Sequence, residues 1–395
     1  MSVIKPQLDK DSQQSVPIDG DEIWVHQAHP CSKEVAIVIP FYNELSNPNF
    51  QFTERLTYYQ SLAHLHRNRC DLFLVDDGST DGSQEELKKF IQRYPEAFNV
   101  IALRQNRQKV GAVKIAISKI EHEYVFTSDF DTDLVGLEKM GSPIRKLKDK
   151  QDYMGCAFRL VPCDGSGILG KYYLLESYTT RVSNDILQKE DYVTGMYGAA
   201  SLYRREVFQR ILAEHRGRFC GDDLESTIIG FRLGYKAFYE SDIHAVTRTP
   251  KDFLSVHKQK SRWKQGFLEV ILKERAFVWH QIREGTRFGQ RMKSEIWEMI
   301  MLLSFPLIIL LLFVINPLLG MMLFLAAYLY YEIDLLLWVA KEGHKMPDKR
   351  PLTIVPILPI LWLLIETPTW IRAIYRLATS FLRLAFLLVL TDSVA

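Results

Sequence analysis

Three aspartates stand at alternate positions where an apolar, strand-like run ends, within residues 124–133. Side chains two apart in an extended segment share a face, so Asp129 and Asp131 point to the same side. Carboxylate oxygens, together with the phosphate oxygens of a substrate, are the ligands that Mg²⁺ and Mn²⁺ prefer. This pair is therefore a candidate metal site, although an isolated pair of this kind more often binds nothing. Asp133 is expected to be a bystander or a helix cap.

Two further polar clusters follow predicted strands at residues 35–39 and 71–75. The first contains Tyr42 and Glu44. In the second, Asp76 is suited to accept hydrogen bonds from a nucleobase or ribose, and Gly78 makes the backbone flexible. Taken alone, residues 76–79 are equally well explained as an ordinary turn. Lys109, in the first turn of a predicted helix, either adds positive potential to a phosphate site or is simply solvated.

Strands and helices alternate regularly between residues 35 and 128. Repeated βα units predict an α/β fold with a mostly parallel sheet wrapped by helices. In such sheets ligands bind beyond the carboxyl ends of the strands. All three polar clusters follow strands, so we expect them to converge at one edge of the sheet.

Residues beyond 150 supply candidates for acceptor chemistry. Asp222 and Asp223 begin a predicted helix, where a carboxylate is with equal odds a general base or a helix N-cap. Residues 193–200 are small enough for the backbone to approach a ligand closely. In residues 259–263, Trp263 offers a stacking surface for a sugar and Arg262 a partner for a diphosphate. The alternative is an amphipathic helix at a membrane surface, with its lysines and arginine facing lipid headgroups.

Composition and charge exclude several classes. The net charge of +2 over 395 residues argues against a nucleic-acid binder. Five cysteines without a C-x-x-C pair argue against a zinc site or a disulfide framework. The first 30 residues are polar and acidic, without the apolar region of a secretory signal, so we expect the N-terminus to stay in the cytoplasm.

The C-terminal quarter is typical of a membrane region. No charged residue occurs from 299 to 331, about 50 Å of helix, which is too long for a single crossing. Asn316 and Pro317 offer a break, which predicts helices at about 297–315 and 318–340. The basic segment 341–350 is expected on the cytoplasmic side. Residues 352–391 are interpreted as a third crossing plus an interfacial helix.

Together these motifs resemble the inverting family 2 glycosyltransferases, which have a nucleotide-binding fold termed GT-A. The Q-x-x-R-W pattern before a membrane region is similar to the polysaccharide synthase branch, which makes hyaluronan, chitin, cellulose or poly-N-acetylglucosamine. The motifs are, in chain order, residues 37–44 (IVIPFYNE), 75–81 (VDDGSTD), 128–131 (SDFD), 221–223 (GDD) and 259–263 (QKSRW).

The resemblance implies a role for each candidate residue. The donor would be a nucleotide sugar, a UDP-sugar by this likeness, with Mg²⁺ or Mn²⁺ as cofactor. Asp131 would hold the metal, Asp129 would lie at the ribose and diphosphate, and Asp223 would be the catalytic base beside Asp222. The remaining candidates would bind substrate: Tyr42, Glu44 and Asp76 at the uridine with Pro40 and Asp77 beside them, Lys109 near the diphosphate, and Gln259, Arg262 and Trp263 at the leaving diphosphate and the acceptor sugar.

The resemblance also implies an organisation. A tail (1–33) would precede a cytosolic GT-A domain (34–275), an interfacial linker (276–295) and a multi-pass region (296–395) in the cytoplasmic membrane. Two to four crossings are fewer than a channel-forming synthase is expected to have. A polymer product would therefore require a homo-oligomer or an export partner. The alternatives are single addition to a membrane lipid and a non-catalytic scaffold, the latter disfavoured because every required carboxylate is present.

Overall fold

A computed structural model describes residues 22–29, 33–48, 51–163, 165–189, 192–217, 221–346 and 348–392. Cys31, Cys220 and most of the predicted tail lie outside these residues. The chain divides into two compact units. We call residues 1–161 with 184–247 the sheet unit, and residues 162–183 with 248–395 the helical unit.

The described part of the sheet unit contains a single nine-stranded sheet. Its strands are β1 Glu22–His26, β2 Val35–Phe41, β3 Cys70–Asp76, β4 Asn99–Leu103, β5 Tyr124–Ser128, β6 Asp133–Val135, β7 Tyr153–Pro162, β8 Ala200–Arg204 and β9 Lys236–Thr247. Their order across the sheet is β1-β4-β3-β2-β5-β8-β7-β9-β6.

The sheet is mixed, which corrects the prediction that it is mostly parallel. Strands β2 to β5 form a parallel core, in which β2 pairs with β3 and β5, and β3 pairs with β4. Outside this core the pairs β1–β4, β5–β8, β7–β8 and β6–β9 are antiparallel. The regular βα alternation that predicts parallel pairing ends at residue 128, and the next strand added beside β5, β8, runs in the opposite direction. The α/β prediction itself is confirmed.

Helices cover both faces of the sheet. In the described residues the first seven α-helices are α1 Phe52–His66, α2 Ser83–Arg93, α3 Gln108–Lys119, α4 Gly141–Asp149, α5 Gly167–Lys189, α6 Arg205–Glu214 and α7 Asp222–Arg232. Of these, α5 belongs mostly to the helical unit. The side chains of β2 are buried on both faces: Ile37 and Ile39 join one core layer, and Ala36 and Val38 join the other. The continuous apolar run of β2 follows from this double burial. The two layers fix the strand ends that carry the polar clusters.

The described part of the helical unit also contains five later α-helices and a short 3₁₀ segment that precedes the last of them. They are α8 Phe253–Lys273, α9 Arg275–Arg283, α10 Arg287–Ile315, α11 Pro317–Glu342, α12 Leu358–Asp392 and the 3₁₀ segment Arg350–Ile357. Within the described residues, three segments are long and apolar enough to cross a membrane: Arg287–Ile315, Pro317–Glu342 and Arg350–Ser380.

The break between α10 and α11 lies where the sequence places it. The Asn316 side chain accepts a hydrogen bond from the backbone N–H of Leu319 (3.2 Å), and Pro317 is the first helical residue. Both are favoured positions for these residue types. Beyond residue 357 the chain forms one continuous helix, α12, where the sequence was interpreted as a crossing plus a separate interfacial helix.

Candidate active site

The first two polar clusters lie side by side in the sheet unit. Parallel pairing places Phe41 opposite Asp76, so the loops after β2 and β3 leave the sheet at the same edge. Pro40 is buried within β2, whereas the Tyr42 side chain is 42% exposed. The carboxyl ends of β2 and β3 therefore bring Tyr42, Glu44 and Asp76 to one edge, as the α/β prediction requires.

Asn43 joins these two loops. Its backbone has φ of +56°, in the left-handed region that asparagine tolerates better than most residues. Its N–H donates to Ser79 Oγ (2.9 Å), and its Oδ1 accepts from the Thr80 N–H (2.7 Å). Two more backbone bonds, from Leu45 N to Ser83 Oγ and from Ser46 N to an oxygen of Asp81, complete the seam. The position of Glu44 is thus set by the loop after β3.

Asp76 and Asp77 are both buried and both hydrogen-bonded within the protein. Asp76 accepts from the Ser79 N–H (3.1 Å) and the Gln84 amide (2.8 Å). Asp77 accepts from the Arg107 N–H (2.7 Å), which ties the loop after β4 to this edge. Burial raises the pKa of Asp76 and raises that of Asp77 to about 6. Asp77 therefore orders the loop that leads to Lys109, and its predicted contact with substrate stays a prediction.

Gly78 is required by a close approach of two backbones. Its φ is +71°, and a Cβ there would lie 2.5 Å from the carbonyl carbon of Gln105. Glycine avoids this clash and adopts the left-handed conformation at no steric cost.

The turn that carries Asp129 and Asp131 is held from beneath by helix α1. The Arg55 guanidinium donates to the carbonyls of Phe130 (3.0 Å) and Thr132 (2.8 Å), and the Tyr59 hydroxyl donates to the carbonyl of Phe130 (2.9 Å). Both side chains are almost completely buried. The turn is therefore fixed through its backbone, which leaves its carboxylates at the sheet edge.

Asp133 also contacts this arginine. Its carboxylate forms an ion pair with Arg55, and the residue begins strand β6. Asp133 is therefore not a helix cap; it supplies the negative charge that a buried guanidinium requires.

Phe130, between the two candidate metal ligands, anchors the turn in the core. Its ring packs against those of Phe41, Phe52 and Tyr59 at centroid separations of 5.0 to 5.6 Å. Residues 129–132 form a turn closed by a hydrogen bond from the Thr132 N–H to the Asp129 carbonyl (3.1 Å), so Phe130 is buried between the two aspartates within a turn and not along an extended strand.

Glu44 faces the same carboxylates. Burial raises its pKa to about 7; a hydrogen bond from Asn47 lowers it in part, and the charges of Asp131, Asp81 and Asp129 raise it further. Such mutual repulsion is what a divalent cation would relieve, so this oxygen-donor set fits Mg²⁺ or Mn²⁺. Among the described residues, no three His, Cys, Asp or Glu side chains form a complete metal cage. An ion here would need further oxygen ligands, which substrate phosphates supply in many magnesium sites.

Lys109 links the D-x-D turn to the second acidic motif. Its Nζ lies 2.6 Å from Asp129 Oδ1, 3.5 Å from Asp222 Oδ2 and 3.4 Å from the carbonyl oxygen of Gly198. Burial lowers the pKa of Lys109, but Asp129 and Asp222 more than offset this, so the net pKa is raised. The ammonium group is therefore charged, and it brings Asp129 and Asp222 together.

Asp222 and Asp223 are the first two residues of α7. The N-cap position is taken by Gly221, with φ of +74°, so neither aspartate is the helix cap considered as the alternative. Asp223 accepts hydrogen bonds from the N–H groups of Leu224 (2.8 Å) and Gly198. Burial, and then the charge of Asp222, raise the pKa of Asp223 to about 6. A carboxylate with this pKa is suited to act as a general base near neutral pH.

The small-residue segment 193–200 approaches this pair, as its composition predicts. A Cβ at Gly198 would lie 3.1 Å from Lys109 Nζ and 3.7 Å from Asp223 Cβ. A cavity of about 30 Å³ lies beside these groups and is also lined by Thr127. Gly198 thus lets the lysine and the aspartate share one space.

Gln259, Arg262 and Trp263 lie on α8 of the helical unit. Gln259 Oε1 accepts a hydrogen bond from the Tyr173 hydroxyl (3.1 Å), and the Trp263 side chain is 50% exposed. The alternative interpretation of this helix, with its lysines facing lipid headgroups, was wrong for two of them. Lys260 is 5% exposed and Lys264 is largely buried, and both form ion pairs inside the unit.

Sequence reasoning missed Arg55 and Tyr59, and it placed Asn43 in the first polar cluster without assigning it a role. Arg55 and Tyr59 are four apart on α1, and this spacing places them on one face of a helix. No local signal distinguishes them from ordinary surface residues, because their partners lie more than 70 positions later.

A sheet with a parallel core, carboxylate-bearing turns at its strand ends and an Asp-Asp pair at a helix start define a GT-A glycosyltransferase domain. Residues 36–212 match the family described as glycosyl transferase family 2. The chain is 31% identical to an undecaprenyl-phosphate 4-deoxy-4-formamido-L-arabinose transferase from Pseudomonas savastanoi pv. phaseolicola. The matched region covers 57% of this chain and 68% of that transferase. The chain therefore belongs to glycosyl transferase family 2.

Two other relatives differ in what they act on. A dolichyl-phosphate β-glucosyltransferase from Mus musculus is 29% identical over 32% of this chain, which spans only 40% of that relative's length. A poly-β-1,6-N-acetyl-D-glucosamine synthase from Staphylococcus epidermidis is 22% identical over 64% of this chain and 59% of its own length. The similarity thus extends both to transferases named for lipid phosphates and to a polymer synthase.

Proposed function

We propose that this protein transfers a sugar, with inversion, from a nucleotide sugar to a hydroxyl group of a growing β-linked polysaccharide at a membrane. The observation that carries the proposal is the position of Lys109. One ammonium group contacts both Asp129, at the donor-side turn, and Asp222, beside the candidate base Asp223. Donor and acceptor chemistry can therefore meet at one point of the sheet edge.

The donor side would hold a nucleotide, which we propose to be a UDP-sugar. Asp131, with Asp129 and Glu44 beside it, would hold Mg²⁺ or Mn²⁺. When bound, the cation supplies positive charge that stabilises the departing diphosphate. Tyr42, Glu44 and the loop ordered by Asp76 and Asp77 lie at the same edge and would contact the uridine.

Asp223 would remove the proton from the acceptor hydroxyl. The acceptor oxygen then bonds to the anomeric carbon as the bond from that carbon to the diphosphate oxygen breaks, so an α-linked donor gives a β-linked product. The proton goes to the Asp223 carboxylate, and the electron pair of the broken bond leaves with the nucleotide diphosphate. The two N–H donors on Asp223 fix the direction of its carboxylate.

The acceptor side would involve α8. Gln259, Arg262 and Trp263 are proposed to bind the acceptor sugar and the leaving diphosphate, with the sheet unit on the cytoplasmic side of the membrane. The described residues contain three candidate membrane helices. Export of a long polymer through so few helices would require a homo-oligomer or a separate export partner.

Single addition to a membrane lipid is the second candidate function. It is favoured by relatives named for dolichyl phosphate and undecaprenyl phosphate. Its chemistry differs in one respect: a phosphate monoester has a second pKa of about 6, so its attacking oxygen is already anionic at neutral pH. A lipid phosphate needs no base, whereas a hydroxyl does. The base-like environment of Asp223 therefore supports the hydroxyl acceptor.

The test uses the full chain reconstituted in lipid nanodiscs, a panel of UDP-sugars, and Mg²⁺ or Mn²⁺. Nucleotide release, product size and partition into organic solvent are measured for wild type, D223N and the control D242N, which removes an exposed carboxylate paired with Lys139. For a hydroxyl acceptor D223N should lose about 10²–10⁴-fold in rate, and a polymer should stay in the aqueous phase. An extractable product with D223N close to wild type would overturn the polysaccharide proposal in favour of a lipid phosphate.

A further inference from the structure

A buried carboxylate lies in the third candidate membrane segment of the helical unit. Glu366 of α12 is 5% exposed, within Arg350–Ser380. A carboxylate in an apolar helix is costly unless it is paired, and acidic residues at such positions usually have a function. The residues that pair with Glu366 identify the helix on which it acts.

Both cationic partners of Glu366 come from α8. Lys260 Nζ lies 3.0 Å from Glu366 Oε1, and Lys264 Nζ pairs with Oε2. Lys264 also donates to the backbone carbonyl of Glu366 (3.3 Å) and lies 4.6 Å from the centre of the Trp370 ring. Lys260 has a second carboxylate partner in Glu176 (2.8 Å). Two cations face these two carboxylates, and Glu298 adds a further negative charge close to them, so the cluster is unsuited to bind a further anion.

The spacing on α8 turns this cluster into an orientation device. Lys260 and Lys264 are four residues apart and share a face of the helix. Gln259 and Trp263 are also four apart, one position earlier, and occupy the adjoining face. Once Lys260 and Lys264 are fixed on Glu366, the rotation of α8 about its axis is fixed, and so is the direction of Gln259 and Trp263.

Helix α5 forms hydrogen bonds both to Glu366 and to Gln259 of α8. The Tyr172 hydroxyl donates to Glu366 Oε1 (2.9 Å), and the hydroxyl of the next residue, Tyr173, donates to Gln259 Oε1 (3.1 Å). Two adjacent tyrosines thus connect the buried carboxylate to the first residue of the Q-x-x-R-W motif.

We propose that Glu366 is a positioning residue for acceptor binding. It acts by fixing the orientation of α8 through Lys260 and Lys264. The inference rests on the proposed function, because the acceptor role of Gln259, Arg262 and Trp263 belongs to that proposal. It assigns to a membrane helix the task of aiming the acceptor-binding side chains. Glu366 itself contacts neither substrate.

The experiment separates acceptor use from donor use in the nanodisc-reconstituted full chain. The variants are E366Q, E366D, K264M and the control E295Q, which removes the acid of a more exposed i,i+4 pair with Arg291. Donor binding is measured with radiolabelled UDP-sugar, donor hydrolysis as nucleotide release without acceptor, and transfer as kcat and KM for the acceptor. Size-exclusion chromatography reports folding.

We expect E366Q to keep donor binding and hydrolysis within about 2-fold and to lose at least about 10-fold in kcat/KM for the acceptor, because misplaced binding groups act on that step. E366D should recover part of the loss, K264M should lose less than E366Q, and E295Q should match wild type. Equal losses of hydrolysis and transfer in E366Q, or unchanged transfer, would overturn the proposal. If E366Q does not fold, K264M decides: folded protein with wild-type transfer also overturns it. A wild type that neither hydrolyses nor transfers sugar contradicts the proposed function instead.

Discussion

The two units hold their candidate functional side chains with opposite charges. In the sheet unit the presented groups are carboxylates, and the buried partners are the cations Arg55 and Lys109. In the helical unit the helix with the candidate acceptor residues carries cations, and the buried partner is the carboxylate of Glu366. In both units, charged side chains on neighbouring helices orient a segment that presents several polar groups.

The contrast extends to how rigidly each segment is held. The turn with Asp129 and Asp131 is fixed through its backbone carbonyls, so its side chains stay available at the sheet edge. The carbonyls in the middle of an α-helix accept the helix's own hydrogen bonds. Helix α8 is therefore fixed through lysine side chains instead. Backbone anchoring suits groups that must meet a metal within a few tenths of an ångström, and side-chain anchoring suits a binding surface for a flexible acceptor.

Removal of the Lys109 charge should have a large effect on the rate, because it disconnects the two acidic motifs of the sheet unit. In K109M the carboxylates of Asp129, Asp222 and Asp223 would repel one another without compensation. We expect kcat/KM for the nucleotide sugar to fall by about 10²–10³-fold, the usual loss when one preorganised charge-stabilising donor is removed. The control K114M removes an exposed lysine of the same helix and should be silent. A K109M variant within 5-fold of wild type would show that Lys109 is only a structural counter-ion.

Loss of the Arg55 anchor should weaken metal binding more than nucleotide binding. R55M removes the guanidinium that pairs with Asp133 and donates to the carbonyls of Phe130 and Thr132, so the turn that carries Asp131 should loosen. Groups that orient metal ligands typically contribute about 10–100-fold to metal affinity. Titration of Mn²⁺ by electron paramagnetic resonance measures this without turnover.

Tyr59 gives a milder variant of the same anchor. Y59F removes the hydroxyl that donates to the carbonyls of Phe130 (2.9 Å) and Asp129 (3.4 Å) but keeps Arg55, so it should shift the Mn²⁺ affinity in the same direction by a smaller factor. R67M, which removes an exposed arginine just past the end of α1, is the matched control. If R55M lowers the melting temperature but leaves Mn²⁺ affinity unchanged, Arg55 stabilises the fold and does not position the metal ligands.

The presented groups could be predicted from sequence, whereas their buried partners could not. Asp76, Asp129 and Asp131 follow apolar strands, and Asp223 follows a glycine at a helix start, so pattern and order reveal them. Their individual roles stay predictions. The anchors carry no such pattern. A buried arginine in α1 and a glutamate among apolar residues in α12 become meaningful only when the fold brings partners from 75 to 194 positions away.

The sheet shows the same limit. Local alternation of strands and helices predicts the parallel core from β2 to β5. The direction of β8 depends on pairing with β5 across more than 70 residues, which local pattern does not encode. The lysines of α8 were open to a lipid-facing interpretation for the same reason, because helical spacing shows which residues share a face but not what that face contacts.

A methyl group at Gly198 should test how closely the two acidic motifs must approach. The added Cβ would lie 3.1 Å from Lys109 Nζ, so the lysine must move by a few tenths of an ångström. We expect G198A to lose about 10-fold in kcat/KM with little change in stability, because the nearest obstacle is the end of a flexible side chain. The control G141A adds a methyl where no atom lies within 4 Å. An unchanged rate for G198A would mean that Lys109 has room to spare.

Replacement of Asp223 should increase stability while it removes the base. Burial and Asp222 raise the pKa of Asp223 from 3.8 to about 6, so its charged form destabilises the folded state. Since the folded pKa is the higher one, the stability of wild type should fall as pH rises from about 4 to about 6 and then level off. The melting temperature of D223N minus that of wild type should therefore grow across this interval and stay constant above it, by a few degrees.

The same titration should appear in catalysis with the opposite sign. Asp223 must be deprotonated to accept a proton, so wild-type kcat/KM should decrease about tenfold per pH unit below about 6. Differential scanning fluorimetry and initial rates over pH 4.5 to 8 give both curves from one preparation. A destabilising D223N substitution, or a rate independent of pH down to 5, would show that Asp223 is a structural acid. In that case Asp223 would not show the cost in folding stability that is expected of a buried carboxylate retained for catalysis.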